Sequence, residues 1–95
     1  MIRKTFLWTG ANGMHARPAG MLVNLSSKFE SSITIETQKA SSNAKGLFSI
    51  MGLGIKEGDK IEIIFEGTDE TEAAEAITKL LTENLASETE NPKGE

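Results

Sequence analysis

The chain has 95 residues, the length of a single domain, which leaves no room for a second core. Its 10 basic and 14 acidic side chains give a net charge of −4, which argues against a nucleic-acid partner, since phosphate backbones favour clustered Lys and Arg. With no cysteine there is no disulfide and no thiolate metal site.

Apolar residues make up 38% of the chain, enough for a folded core. Their longest runs fall far short of a bilayer's thickness, and Met1-Ile2-Arg3-Lys4-Thr5 lacks the apolar stretch of a signal peptide. The expectation is a cytoplasmic protein with no membrane insertion, no cofactor and no metal.

Residues 3–9 read as a strand, with Phe6 and Trp8 on one face and Leu7 on the other. Gly10-Ala11-Asn12-Gly13 is a loop. From Ala16 to about Phe29, Ala19, Leu22, Val23, Ser26 and Phe29 form a helical stripe, and Pro18 sits in the first turn, where it is tolerated. Ser32 to Gln38 alternates as a strand, with Ile33 and Ile35 on one face. Residues 39–46 suit a short strand or a turn, and residues 47–53 one or two helical turns.

Residues 60–66 give the clearest strand, with Ile61, Ile63 and Phe65 on one face. A helix then opens at Asp69, read as its N-cap, with Glu72 placed to complete a capping box. Its apolar stripe is Ala73, Ala76, Ile77, Leu80, Leu81 and Leu85. Residues 1–86 make the domain, and residues 87–95 read as a polar, frayed tail. The order is that of an α+β fold: a small antiparallel sheet with helices on one face.

His15 is the sole histidine and stands between a glycine-containing loop and a helix start. A helix N-terminus offers unpaired N–H groups and partial positive charge to an anion. Ala16 and Arg17 can donate backbone N–H groups, and the Arg17 guanidinium suits phosphate oxygens. Neutral imidazole has a lone pair that can attack phosphorus and later leave, so His15 fits reversible phosphoryl transfer. Spacing alone also allows His15 to be a helix cap or an ordinary surface residue. Leu47, Phe48 and Met51 fit either a core plug or an exposed apolar patch, with Met21 and Leu22 flanking the same region.

Gly13-Met14-His15-Ala16-Arg17-Pro18-Ala19 resembles the signature of the HPr family, the histidine-containing phosphocarriers of the sugar phosphotransferase system. Lys45-Gly46-Leu47-Phe48-Ser49-Ile50-Met51-Gly52-Leu53-Gly54-Ile55 resembles that family's second surface segment, without gaps and at the expected distance. The likeness runs from about residue 2 to residue 86.

The resemblance implies an open-faced β-sandwich of four antiparallel strands and three helices. It implies His15 as the residue phosphorylated on Nδ1, and Arg17 as the group that steadies the phosphoryl. The donor would be phospho-Enzyme I and the acceptors enzyme IIA domains. Leu47, Phe48 and Met51 would dock these partners, with Phe48 foremost. The chain would be a monomeric carrier and not an independent enzyme.

Gly46 departs from relatives that carry a regulatory serine at that place. With no hydroxyl there, serine regulation is not expected, and Ser49, three residues on, is not its substitute. The departure keeps open an alternative: a regulatory or binding paralogue of the same fold that relays no phosphate to sugar transport.

Overall fold

A computed structural model of the chain describes residues 1–89. The elements run β1 (Ile2–Trp8), α1 (Ala16–Ser26), β2 (Ser32–Glu36), β3 (Ser41–Asn43), α2 (Leu47–Met51), β4 (Lys60–Glu66), α3 (Glu70–Asn84) and β5 (Ala86–Thr89). All pairings are antiparallel, and the sheet order is β3-β2-β4-β1-β5. β4 therefore lies between β1 and β2, the strands that flank α1.

Alternation decides which face of the sheet is covered. Phe6 and Trp8 of β1, Ile33 and Ile35 of β2, and Ile61, Ile63 and Phe65 of β4 are all buried. They meet Ala19 and Leu22 from α1, Ile50 from α2, and Ala73, Ala74, Ile77 and Leu81 from α3. Burying a side chain of the size of Ile, Leu or Phe contributes about 1.5–3 kcal/mol, so this shared cluster is the main force holding three helices to one sheet. On the opposite face, Thr5 pairs with Glu62 and Leu7 with Lys60, and Arg3 meets Glu62 at 3.2 Å.

The α+β class and the helix-covered sheet agree with the sequence reading, but the sheet has five strands where four were expected. Ala86–Thr89, placed there at the end of the domain and in a frayed tail, pairs with Thr5–Trp8 of β1. Only Ala86 of these four residues is buried, so the strand is held by backbone pairing and by Lys4 Nζ on Glu88 Oε2 at 2.9 Å. The rest of the expected tail, residues 90–95, lies outside the described residues.

Asp69 holds the N-cap position of α3, yet its side chain caps nothing in that helix. Its carboxylate instead accepts the N–H groups of Glu30 and Ser31, each at 2.9 Å, and the Ser31 hydroxyl. The expected capping box is not formed, because these donors from the α1–β2 turn take both carboxylate oxygens. Gly67 makes the approach sterically feasible: a Cβ there would lie 2.6 Å from Ser31 Cα. Glu70, not Glu72, reaches back to a backbone N–H, that of Gly67 at 3.0 Å.

The Ser31 hydroxyl and the backbone N–H of Glu30 hold the Asp69 carboxyl below the ordinary aspartate range. A lowered folded pKa makes the contact stabilising above the unfolded value of about 4, and that stability is lost as pH falls through the folded value. In Asp69→Asn an amide NH2 would face one of these donors. The expected result is a lower Tm at neutral pH and a shallower loss of Tm below pH 4, read from thermal melts across an acid series. An unchanged acid limb would remove Asp69 as its source.

Candidate functional site

The loop between β1 and α1 is pinned from two sides before His15 is reached. The Leu85 carbonyl, at the end of α3, accepts the Thr9 and Gly10 N–H groups at 2.8 and 3.1 Å. The Ile55 carbonyl, from the loop before β4, accepts Met14 N–H at 2.9 Å. Gly13 has φ +70, and a Cβ there would lie 2.6 Å from the Ile55 oxygen. Only glycine allows both that backbone conformation and that approach. Met14 is buried beneath the loop, and the next residue, His15, points outward.

His15 is the N-cap residue of α1 in extended conformation (φ −94, ψ −173), but its imidazole makes no capping hydrogen bond. It therefore occupies the cap position without serving as a cap. Ala16 and Arg17 follow in the first turn, both exposed, and their N–H groups have no acceptor within the helix. No acidic residue stands in that turn, so the positive end of α1 is not neutralised by its own side chains. Pro18 is buried, which fixes the turn against the core while its neighbours stay open.

His15 and Arg17 share a shallow groove of about 320 Å³ with Asn12, Pro18 and Met21. The far wall comes from the end of α3: Leu80, Glu83 and Leu85. Of the residues singled out from the sequence, His15, Arg17 and Met21 line this groove, and Ala16 sits between the first two in the chain. Sequence reasoning missed Asn12 and Glu83. Asn12 offered only its turn preference, and Glu83, nearly 70 residues away in sequence, offered no signal at all. Glu83 puts a negative charge on the wall opposite the cationic Arg17.

Of the three apolar candidates on α2, Phe48 is 83% exposed, whereas Leu47 and Met51 are half-buried against the core. The buried residue of that helix is Ile50. α2 packs on α1, whose Met21 is 44% exposed. Large apolar side chains this open are candidates for contact with another molecule. Gly46 is the N-cap of α2 and has no side chain with which to cap it. A Cβ at Gly46 would sit 3.3 Å from Ser49 Oγ.

Among the described residues no group of His, Asp or Glu side chains could hold a metal ion. No described helix is long and apolar enough to cross a membrane. At the start of α1 the His15 imidazole, the Ala16 and Arg17 N–H groups and the Arg17 guanidinium lie together, an arrangement suited to a tetrahedral anion.

Residues 2–83 match the family model PTS-HPr, described as the PTS HPr component phosphorylation site. The chain belongs to the HPr family. It is 42% identical over 71 residues to the phosphocarrier protein HPr of Lysinibacillus sphaericus, covering 75% of this chain and 81% of that one. Its fold is similar to that of the histidine-containing phosphocarrier protein of Mycoplasma, with a TM-score of 0.84 and 34% identity over 86% of this chain and 93% of that one. It is similar also to an HPr protein of Thermoanaerobacter tengcongensis, with a TM-score of 0.82 and 38% identity over 86% and 92% of the two chains. Membership in HPr makes this a phosphocarrier of the phosphotransferase system in general terms.

Proposed function

We propose that this HPr chain accepts a phosphoryl group on His15 Nδ1 from phospho-Enzyme I and passes it to sugar-specific enzyme IIA. The observation that carries the reading is His15 itself: exposed, free of any capping role, and set beside the N–H groups of Ala16 and Arg17. The neutral imidazole lone pair forms the N–P bond while the donor's bond to phosphorus breaks, its electron pair leaving with the donor. The reverse sequence delivers the group to the acceptor. The protein acts as a monomeric cytoplasmic carrier, and its turnover depends on the catalytic machinery of its partners.

Phosphorylation adds roughly −1.5 to −2 charges at neutral pH. The Arg17 guanidinium and the open end of α1 offset this charge, and Glu83 opposes it from the other wall. Phe48, with Leu47 and Met51 at its base, supplies an apolar surface to donor and acceptor alike. One surface serving both partners excludes a ternary complex, so transfer proceeds by successive encounters.

Arg17→Ala should slow transfer about tenfold to a hundredfold, the loss expected for one or two charge-assisted hydrogen bonds, with an unchanged melting curve because Arg17 is exposed. Rates equal to those of the parent chain in a rapid-quench assay would remove Arg17 from its role.

Gly46 favours a second reading, a regulatory paralogue that takes phosphate without relaying it. The two readings separate on a single measurement. Chain labelled at His15 is purified and mixed with a panel of enzyme IIA domains. Movement of the label to any of them supports the carrier; full retention of label across the panel favours the paralogue.

A further inference from the structure

A second cleft, of about 380 Å³, lies between the β2–β3 turn and the loop joining α2 to β4. Lys39, Lys56 and Lys60 all line it. These are three of the ten basic side chains in a protein of net charge −4. Among the described residues none of the three ammonium groups meets a carboxylate, whereas Arg3 and Lys4 both do. Asp59 is the sole acid lining the cleft, and one of its oxygens accepts Lys56 N–H at 2.9 Å. The cleft is thus a net-positive concavity on an acidic protein, large enough for a small metabolite.

The cleft is also anchored to the loop that carries His15. Asp59 carbonyl accepts Trp8 N–H, and Trp8 carbonyl accepts Gly58 N–H, each at 2.8 Å. The Ile55 carbonyl, next to Lys56, holds Met14 N–H. The cleft walls are therefore fixed by backbone bonds, while the lysine heads are free to close on a ligand.

We propose that this cleft binds a small molecule carrying two phosphoryl groups, through Lys39, Lys56 and Lys60. A single phosphate engages one or two ammonium groups, whereas a pair of phosphates has charge enough for all three. This site goes beyond the carrier reading and does not depend on it.

The test is an amide-resolved NMR titration of the full chain with inorganic pyrophosphate, with orthophosphate and sodium chloride at matched ionic strength as parallel arms. The expected result is saturable shifts in residues 37–39 and 54–60, spreading to Gly13 and Met14, with a Kd of about 1 mM or tighter. Orthophosphate should bind more weakly, and chloride should not reproduce the pattern. The triple variant Lys39→Gln, Lys56→Gln, Lys60→Gln should weaken binding at least about tenfold, the loss of one or more charge-assisted contacts. All three side chains are exposed, so the variant keeps the core. The proposal is overturned by linear, unsaturated shifts, by shifts centred on Ala16 and Arg17, by a chloride arm that matches, or by an unaffected triple variant.

Discussion

A His15→Ala chain incubated with phosphoenolpyruvate and an active Enzyme I should gain no mass, while the parent gains one acid-labile phosphoryl group. The expected loss is complete, because the chain holds no other histidine and no cysteine to serve as an alternative acceptor nitrogen or sulfur. The substitution should leave the fold intact. His15 is exposed and its imidazole makes no capping bond, so removing it forfeits no packing and no cap. Stability should move by less than about 0.5 kcal/mol, as for surface changes in general. A variant that still takes label would place the acceptor elsewhere. A parent that takes none beside a competent Enzyme I would transfer the weight to the regulatory reading.

Gly13→Ala tests the loop and not the nucleophile. The new methyl group would meet the Ile55 carbonyl at 2.6 Å, and its residue would hold a φ of +70 that alanine disfavours. The backbone conformation alone costs about 1–2 kcal/mol. The contact with Ile55 adds to this by pushing apart the loop and the carbonyl that accepts Met14 N–H. We expect a fall in Tm together with a transfer rate reduced about 100-fold, since a displacement on the order of 1 Å at a reacting group has that effect. His15 stays present and chemically unchanged, so a slow but complete labelling distinguishes misplacement from loss of the acceptor. Normal kinetics in this variant would mean that partners reposition His15 themselves.

The parts of the fold that could be read from the sequence are those that own their hydrophobic pattern. β4 alternates over seven residues, and all three of its predicted inward side chains are buried. α1 carries a stripe that ends in the core, although the helix stops at Ser26, short of Phe29. α3 follows its stripe less closely: Ala74 is buried, and Ala76 only half so. β5 has no pattern to read, because a four-residue strand with one buried alanine takes its stability from β1.

The same division holds at the site. His15, Ala16 and Arg17 are neighbours along one helix start, so local chemistry was enough to group them. Glu83 and Leu85 reach the groove only because α3 lies beside α1, a fact of tertiary packing. Asp69 misled for a related reason. Its sequence neighbourhood favoured a local cap, and the donors it serves lie 38 and 39 residues away.

β1 is the first strand in the chain and both its neighbours come late: Ile2 pairs with Phe65, and Trp8 with Ala86. During synthesis, a nascent chain halted before residue 60 has β1 with no partner on either edge. Phe6 and Trp8 then lack the part of their cover that comes from β4 and α3, namely Ile61, Ile63, Phe65, Ala73, Ile77 and Leu81. Loop closure over such distances is slow relative to local helix formation. The emerging N-terminal half thus carries an open sheet edge, and the loop that carries His15 is pinned only once Ile55 and Leu85 have been made.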